Sequence, residues 1–234
     1  MAYLPIFLDV TGRRCVVVGG GEVAARKVAG LLEAGADVVV VSPSLTVELA
    51  ALARERRIHH INREYATGDF SGAALIYAAT DDPELHQRLH ADARDLGIPI
   101  NVADVPALCT FIAPAVMTRG SLKIAVSTQG ASPATAKSII KRLERMFGPE
   151  YALALEVLRV ARHHLQAHEP DIRKRAMKLT ALAASRIPQY LRKGDLDAVE
   201  KILRRELNAG LDVLGLDSIR ATHQNAGAES RTGR

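Results

Sequence analysis

Short apolar runs alternate with helical stretches along the first half of the chain. Residues 15–18 (CVVV) form a continuous apolar run that stops at three glycines, and residues 38–41 (VVVV) form a second one. Runs of this length are typical of strands that are buried on both faces of a sheet. Weaker runs at residues 58–61, 74–79 and 99–102 predict three further strands.

Helices are predicted between these strands. Residues 22–33 favour a helix with one apolar side, and Gly35 follows as a stop signal. A second helical stretch is predicted from Pro43 and Ser44 to about residue 56, and a third begins near Pro83. Strands that are separated by helices of this length predict a parallel sheet with right-handed crossover connections.

The pattern changes after residue 112. Residues 122–127 (LKIAVS) alternate like a strand, and Ser132 is the predicted cap of the helix that follows. Residues 150–207 are predicted to be helical, with a break at residues 187–188. From residue 218 onward the chain is small and polar, so a frayed tail is expected there.

Composition narrows the class of protein. The 234 residues are 48% apolar and 24% charged, which is typical of a globular protein. Two cysteines, Cys15 and Cys109, are too few for a disulfide framework, so a cytoplasmic protein is expected. No run of about 18 apolar residues is present, which predicts a protein without a membrane span.

The two halves of the chain differ in charge. Residues 1–112 carry 10 Lys and Arg against 14 Asp and Glu, whereas residues 113–234 carry 21 against 12. The basic second half predicts an anionic partner, and charge alone leaves nucleic acid, a membrane surface and a polycarboxylate open. Aromatic residues make up only 4% of the chain, which argues against stacking on single-stranded nucleic acid.

The strongest chemical signal is the glycine turn at residues 19–24 (GGGEVA), which fits G-x-G-x-x-A. It directly follows a predicted buried strand and opens a predicted helix, which is the context that a dinucleotide site requires. Gly19 is expected to make the tight turn, and Gly21 to let a pyrophosphate approach the backbone. No Gly-Lys-Ser/Thr follows, so a P-loop is excluded.

An acidic residue usually follows such a turn by about 20 residues and binds the adenosine ribose. Here the second strand ends at Ser42, Pro43 and Ser44. The two serines can bind ribose hydroxyls, but no carboxylate is present there to reject a 2′-phosphate. The pattern therefore leaves NAD and NADP open.

Polar residues elsewhere are candidates for substrate contacts. Asn101 and Asp104 lie at the carboxyl end of the fifth predicted strand, at the edge where ligands of parallel sheets collect. Asp104 can serve there as a general base, steer a cationic centre, or cap a loop. Thr128 and Gln129 precede a predicted helix whose positive start, with Lys137, favours an anionic ligand.

Two histidine pairs have the i, i+4 spacing of helical metal ligands, His86 with His90 and His164 with His168. Neither pair has a further ligand nearby in sequence, so we expect solvated histidines and assign no metal site.

Taken together, the motifs resemble the precorrin-2 dehydrogenase/sirohydrochlorin ferrochelatase family, the N-terminal module of siroheme synthases. The resemblance covers residues 3–150 best. The motifs that carry it lie at residues 4–7 (LPIF), 18–27 (VGGGEVAARK), 32–36 (LEAGA), 78–82 (AATDD), 101–104 (NVAD) and 111–114 (FIAP).

The resemblance implies a fold with three parts: a Rossmann-like α/β domain with a parallel sheet over residues 1–112, a dimerisation segment over 113–148, and a small all-helical domain over 149–217. Residues 218–234 then form the tail. The fused methyltransferase domain of the family is not in this sequence, so the stand-alone form is expected. The resemblance also implies a homodimer.

The resemblance also implies an activity. Members transfer a hydride from precorrin-2 to NAD⁺, giving sirohydrochlorin, and some then insert Fe²⁺ to form siroheme. By the match of motifs, Asp104 is the expected catalytic residue, and the expected cofactor contacts include Glu22, Val23, Pro43, Ser44 and Thr80. The eight carboxylates of precorrin-2 suit the basic second half.

Two other functions compete with this one. A nucleotide-sensing module with a basic, nucleic-acid-binding helical half has the same order of parts, but no clear helix-turn-helix is present. A short-chain oxidoreductase is disfavoured because no Tyr-x-x-x-Lys pair occurs.

Overall fold

The computed structural model describes residues 3–216. They divide into two compact units. The first contains the chain up to Ala113 together with Gln129–Ala131, and the second contains Pro114–Thr128 and the chain from Ser132 onward. The finer limits predicted for a dimerisation segment and a helical domain stay predictions, and the expected tail lies outside the described residues.

The first unit is built on a five-stranded parallel sheet with the strand order β3-β2-β1-β4-β5. All five predicted strands are present, and the Rossmann-like α/β class is confirmed. The strands are β1 (Arg14–Val18), β2 (Asp37–Val41), β3 (His59–Ile61), β4 (Leu75–Ala78) and β5 (Ile100–Val102). The helices between them are α1 (Glu22–Glu33), α2 (Val47–Arg54) and α3 (Pro83–Asp95).

The apolar runs occupy the centre of this sheet because both of its faces are covered. Val16 packs in a cluster on one face together with Val39, while Val17 packs in a second cluster on the other face with Val40. All four side chains are buried. Strands that contact a core on both sides need apolar residues at every position rather than at alternate ones.

One helix begins later than predicted. The helix expected from Pro43 and Ser44 starts at Val47, with Thr46 as its cap, and Thr46 Oγ1 accepts a hydrogen bond from Leu49 N at 3.3 Å. The preceding residues instead form a turn in which Ser42 Oγ donates to the Ser44 carbonyl oxygen at 2.7 Å. Pro43 therefore belongs to this turn and not to the first helical turn of α2.

The second unit joins a hairpin to helices. Strands β6 (Ala115–Arg119) and β7 (Leu122–Val126) pair antiparallel. The helices are α4 (Pro133–Met146), α5 (Glu150–His168), α6 (Ile172–Ala183), α7 (Ile187–Lys193) and α8 (Leu196–Leu207). No helix within residues 3–216 is long and apolar enough to cross a membrane.

Two details of this unit correct the sequence analysis. Strand β6 was not expected, and the long helical region is also broken before Ile172, where Asp171 caps α6. The break expected at Pro188 falls before Ile187, and Pro188 lies in the first turn of α7. Proline fits there because the first N–H groups of a helix have no intrahelical partner.

Candidate functional site

In the glycine turn between β1 and α1, the backbone requires glycine at one position, whereas at another the absence of a side chain leaves space. A Cβ atom on Gly19, whose φ is +118°, would lie 2.1 Å from the Ala79 carbonyl oxygen, so this position requires glycine. Gly21 has an ordinary φ of −84°, and a Cβ atom there would meet nothing within 4 Å. Its missing side chain therefore leaves open space at the start of α1.

The N-terminus of α1 adds hydrogen-bond donors to that space. Gly21 is its N-cap and no side chain caps the helix. Glu22 is exposed and Val23 half-buried in the first turn. The first N–H groups of a helix have no intrahelical partner and carry the positive end of its dipole. A phosphate group fits this position, as the sequence predicted.

A cavity of about 750 Å³ opens beside the glycine turn, at the carboxyl ends of the central strands. Gly19 follows β1, Ser42 and Pro43 follow β2, and Thr80 follows β4; all of them line the cavity. Ser44, the other predicted ribose contact, is exposed and is not among the lining residues.

Thr80 has a polar atom without a partner. Its Oγ1 is buried and finds no hydrogen-bond partner among residues 3–216. Its carbonyl oxygen, in contrast, accepts a hydrogen bond from His86 Nε2 at 2.9 Å. A buried hydroxyl that lacks a partner in the protein and belongs to a cavity wall is suited to bind a ligand. A dinucleotide fits this combination of open glycine, uncapped helix and polar wall.

Acidic residues dominate the wall of the cavity on the side of β3 and α3. Glu64, Asp82 and Glu84 line it, with Arg88 as the basic lining residue. Asp82 is engaged as the cap of α3, where its Oδ1 accepts hydrogen bonds from the backbone N–H groups of Glu84 and Leu85. The lining therefore carries three carboxylates against one guanidinium.

A second group of polar residues lies at the end of β5. The side-chain amide of Asn101 donates to the Phe111 carbonyl oxygen at 3.0 Å, so it holds the chain that follows the sheet. Asp104 is exposed, and its φ of +58° is a left-handed conformation that Asp tolerates better than most residues. Asp104 thus presents a carboxylate beyond the strand end.

Lys27 of α1 is a cation near this group that the sequence analysis did not single out. Its Nζ lies 5.0 Å from the centroid of the Tyr77 ring. Burial lowers the pKa of Lys27 and Arg26 lowers it further, while Cys109 and Asp104 raise it. Lys27 is the last residue of the motif at residues 18–27, but only the spatial proximity of α1 to β4 brings it near this group.

The remaining predicted substrate contacts are divided between the units. Thr128 and Lys137 belong to the second unit, where Thr128 Oγ1 accepts a hydrogen bond from Ser132 N at 3.0 Å and Lys137 is exposed on α4. Gln129 groups with the first unit and has a φ of +52°. Their contacts with substrate stay predictions.

The histidine pairs are only partly as expected. His86 is buried rather than solvated, and its ring donates a hydrogen bond to the Thr80 carbonyl oxygen. His90 Nδ1 donates to the Leu108 carbonyl oxygen at 2.9 Å. The rings of His164 and His168 stack with centroids 4.3 Å apart. No group of three or more His, Cys, Asp or Glu side chains within the described range is arranged to hold a metal ion.

Comparisons with known proteins agree with the glycine turn. A family model described as putative NAD(P)-binding matches residues 6–115. The siroheme synthase of Pseudomonas putida (strain W619) is 43% identical over 175 residues, which are 75% of this chain and 38% of that protein. That of Thioalkalivibrio sulfidiphilus is 36% identical over 212 residues, 91% of this chain and 43% of that protein.

The chain thus spans about two fifths of the length of these curated relatives. A solved structure of similar size also matches. "SirC, precorrin-2 dehydrogenase" superposes with a TM-score of 0.69 at 25% identity, over 86% of this chain and 98% of that one. The match therefore extends beyond the NAD(P)-binding residues into the second unit.

Proposed function

We propose that the chain is a member of the family of siroheme synthases and precorrin-2 dehydrogenases, and that it oxidises precorrin-2 to sirohydrochlorin. The observation that carries the proposal is the structural similarity over 98% of a precorrin-2 dehydrogenase. A similarity that includes both units supports an enzyme over a nucleotide sensor with a nucleic-acid-binding half.

We further propose that NAD⁺ rather than NADP⁺ is the cofactor. Its pyrophosphate would bind the N–H groups at the start of α1, over the open position at Gly21, and Thr80 Oγ1 would bind a polar group of the dinucleotide. When bound, the nicotinamide supplies the hydride acceptor. The three carboxylates of the cavity wall support NAD⁺, because a 2′-phosphate would be repelled by them.

Asp104 is proposed as the catalytic residue. Removal of a hydride leaves a cationic macrocycle that must then lose a proton. The exposed Asp104 carboxylate can stabilise that cation and accept the proton. Lys27, whose charge partly balances that of Asp104, is a candidate to bind one carboxylate side arm of the substrate.

The substrate and the second half of the chain have opposite charges. Residues 113–234 carry 21 Lys and Arg against 12 Asp and Glu, and the substrate carries eight carboxylates. Exposed Lys137 is one of the residues proposed to attract it. A homodimer and Fe²⁺ as a second substrate stay part of the proposal.

An anaerobic assay with purified protein, precorrin-2 and NAD⁺ tests the proposed function. Appearance of the sirohydrochlorin spectrum together with NADH is the expected result, and NADP⁺ should support a slower reaction. Addition of Fe²⁺ or Co²⁺ after completion tests metal insertion separately. Absence of turnover, with folded protein that binds NAD⁺, would refute the dehydrogenase.

A further inference from the structure

The end of β2 lacks the acidic residue that usually binds the adenosine ribose, but Glu64 lies close to that position. Parallel pairing aligns Val41 at the end of β2 with Ile61 at the end of β3, and Ser42 N donates to the Ile61 carbonyl oxygen at 3.2 Å. Glu64 follows three residues after β3 and lines the same cavity as Ser42. The neighbouring strand thus supplies a carboxylate beside the end of β2.

The backbone around Glu64 is held firmly by the residues on both sides. Arg63 donates two hydrogen bonds to the Asp69 carboxylate, both at 2.7 Å, and its Nη1 also donates to the Glu64 carbonyl oxygen at 2.9 Å. Tyr65 is buried, and its hydroxyl donates to Asp92 Oδ2 at 2.7 Å. Glu64 is therefore presented to the cavity by a preorganised loop.

The neighbouring cations are already engaged, whereas the Glu64 carboxylate is available. Arg63 is paired with Asp69. Arg88 Nη2 donates a hydrogen bond to the Tyr65 carbonyl oxygen at 2.9 Å, and the guanidinium lies over the Tyr65 ring, 5.2 Å from its centroid. Within residues 3–216 the Glu64 carboxylate makes no hydrogen bond or ion pair, and its side chain is exposed. It can accept hydrogen bonds from two vicinal hydroxyls.

We infer that Glu64 binds the adenosine ribose diol of the cofactor and excludes a 2′-phosphate, so that it determines the preference for NAD⁺. The inference depends on the proposed function only in that a nicotinamide dinucleotide must bind in this cavity. A carboxylate accepts hydrogen bonds from the 2′- and 3′-hydroxyls, whereas a 2′-phosphate brings a charge of about −1.5 to −2 against it.

Calorimetry with the full chain tests the inference without any turnover. We expect NAD⁺ to bind wild-type protein at least about tenfold more tightly than NADP⁺, since a charge-assisted hydrogen bond is worth about that factor. Glu64→Gln should weaken NAD⁺ about tenfold and reduce the preference, and Glu64→Arg should favour NADP⁺. Glu55→Gln is the matched control: Glu55 is exposed and does not line the cavity, so this variant should leave the ratio within about twofold.

Nicotinamide 2′-deoxyadenosine dinucleotide provides a second measurement. The missing hydroxyl should weaken binding to wild-type protein and have little effect on Glu64→Gln, because the two changes remove the same contact. An unchanged NAD⁺ to NADP⁺ ratio in both Glu64 variants, with normal thermal unfolding, would overturn the role of Glu64 and leave the dehydrogenase intact. Wild-type protein that binds neither dinucleotide would overturn both.

Discussion

A Cβ atom on Gly20 would lie 1.9 Å from the carbonyl oxygen of Ser44. The turn after β1 is thus packed directly against the turn after β2, and Thr46 N donates to the Gly20 carbonyl oxygen at 2.9 Å. Gly19 and Gly20 are glycines because the fold requires them. Gly21 is different, because neither its φ nor a neighbour excludes a side chain there.

Gly21→Asp should therefore separate binding from folding. The aspartate would enter the space proposed for the pyrophosphate and add a repelling charge. We expect near-normal thermal unfolding and no NAD⁺ binding by calorimetry. Gly20→Ala is the contrasting variant: its clash with backbone should lower the free energy of unfolding by about 1–3 kcal/mol. Unchanged NAD⁺ affinity in Gly21→Asp would contradict the assignment of this turn.

The central sheet was predictable because its signals are local. Residues 15–18 and 38–41 are apolar at every position, which only a strand covered on both faces requires. Glycines then mark where β1 and α1 end. Strand β6 carries no such pattern: residues 115–119 (AVMTR) become a strand through pairing with β7, where Met117 aligns with Ile124.

The candidate site was predictable only in part, for a related reason. Gly21 and Thr80 belong to motifs that follow strands, so the sequence indicates them. Glu64 belongs to no motif, and the pairing of β3 with β2 brings it beside Ser42. The burial of His86 is not predictable from its polar neighbours in sequence, because they do not reveal that its ring contacts the Thr80 carbonyl.

An ion pair between a buried carboxylate and a half-exposed guanidinium in the second unit predicts a pH effect on stability. Glu150, at the start of α5, is 6% exposed and accepts hydrogen bonds from Arg192 of α7. Burial alone would raise the pKa of Glu150, but the hydrogen bonds from Arg192 outweigh it and lower that pKa below 4.5. The pair therefore stabilises the fold above about pH 4.5, and the contribution is lost as the pH falls through the folded pKa.

Glu150→Gln should increase the unfolding equilibrium constant about tenfold at pH 7, measured in urea. The difference from wild-type protein should shrink below pH 4.5, where the carboxylate becomes protonated. Glu156→Gln is the control, since Glu156 pairs with Arg159 on an exposed face. Its effect should be small, because exposed ion pairs contribute little. Equal destabilisation by both variants at all pH values would refute the argument.

The hairpin of the second unit predicts a homodimer. Met117 and Ile124 lie on its covered face, while Val116 and Ala125 lie on the opposite face and are exposed. A two-stranded sheet has two open edges and is only marginally stable alone. We expect light scattering at micromolar concentration to give twice 25.2 kDa. A mass near 25.2 kDa would argue against the dimer.

Binding of the tetrapyrrole should weaken with salt more than binding of NAD⁺. We propose that the substrate is attracted by exposed charges of the basic half. Such charges are screened beyond about 8 Å at 0.15 M salt and about 3 Å at 1 M. The proposed dinucleotide contacts are instead mainly backbone N–H groups and a buried hydroxyl. Fluorescence titration with sirohydrochlorin at low and high salt measures the difference. An affinity that does not fall would refute the electrostatic argument alone.

Asp104→Asn should reduce catalysis and leave folding intact. Asparagine preserves the size of the side chain and tolerates the φ of +58°, so near-normal thermal unfolding and NAD⁺ affinity are expected. It removes the charge and the basicity, and general-base assistance is typically about 10²–10⁴-fold. We expect anaerobic dehydrogenation of precorrin-2 to slow at least about tenfold, toward the low end of that range.

Asp104→Gly is the control for the backbone. Glycine relieves any cost of the left-handed conformation, so a merely structural role predicts a stable variant with full activity. A catalytic role predicts that Asp104→Gly is as slow as Asp104→Asn despite a different thermal stability. Metal insertion, if measured in the second stage of the assay, should decrease in both variants, because the same carboxylate would accept the pyrrole protons. Full turnover by Asp104→Asn would contradict a catalytic role for Asp104. Asp104 would then be a structural loop residue, and another group would have to accept the proton.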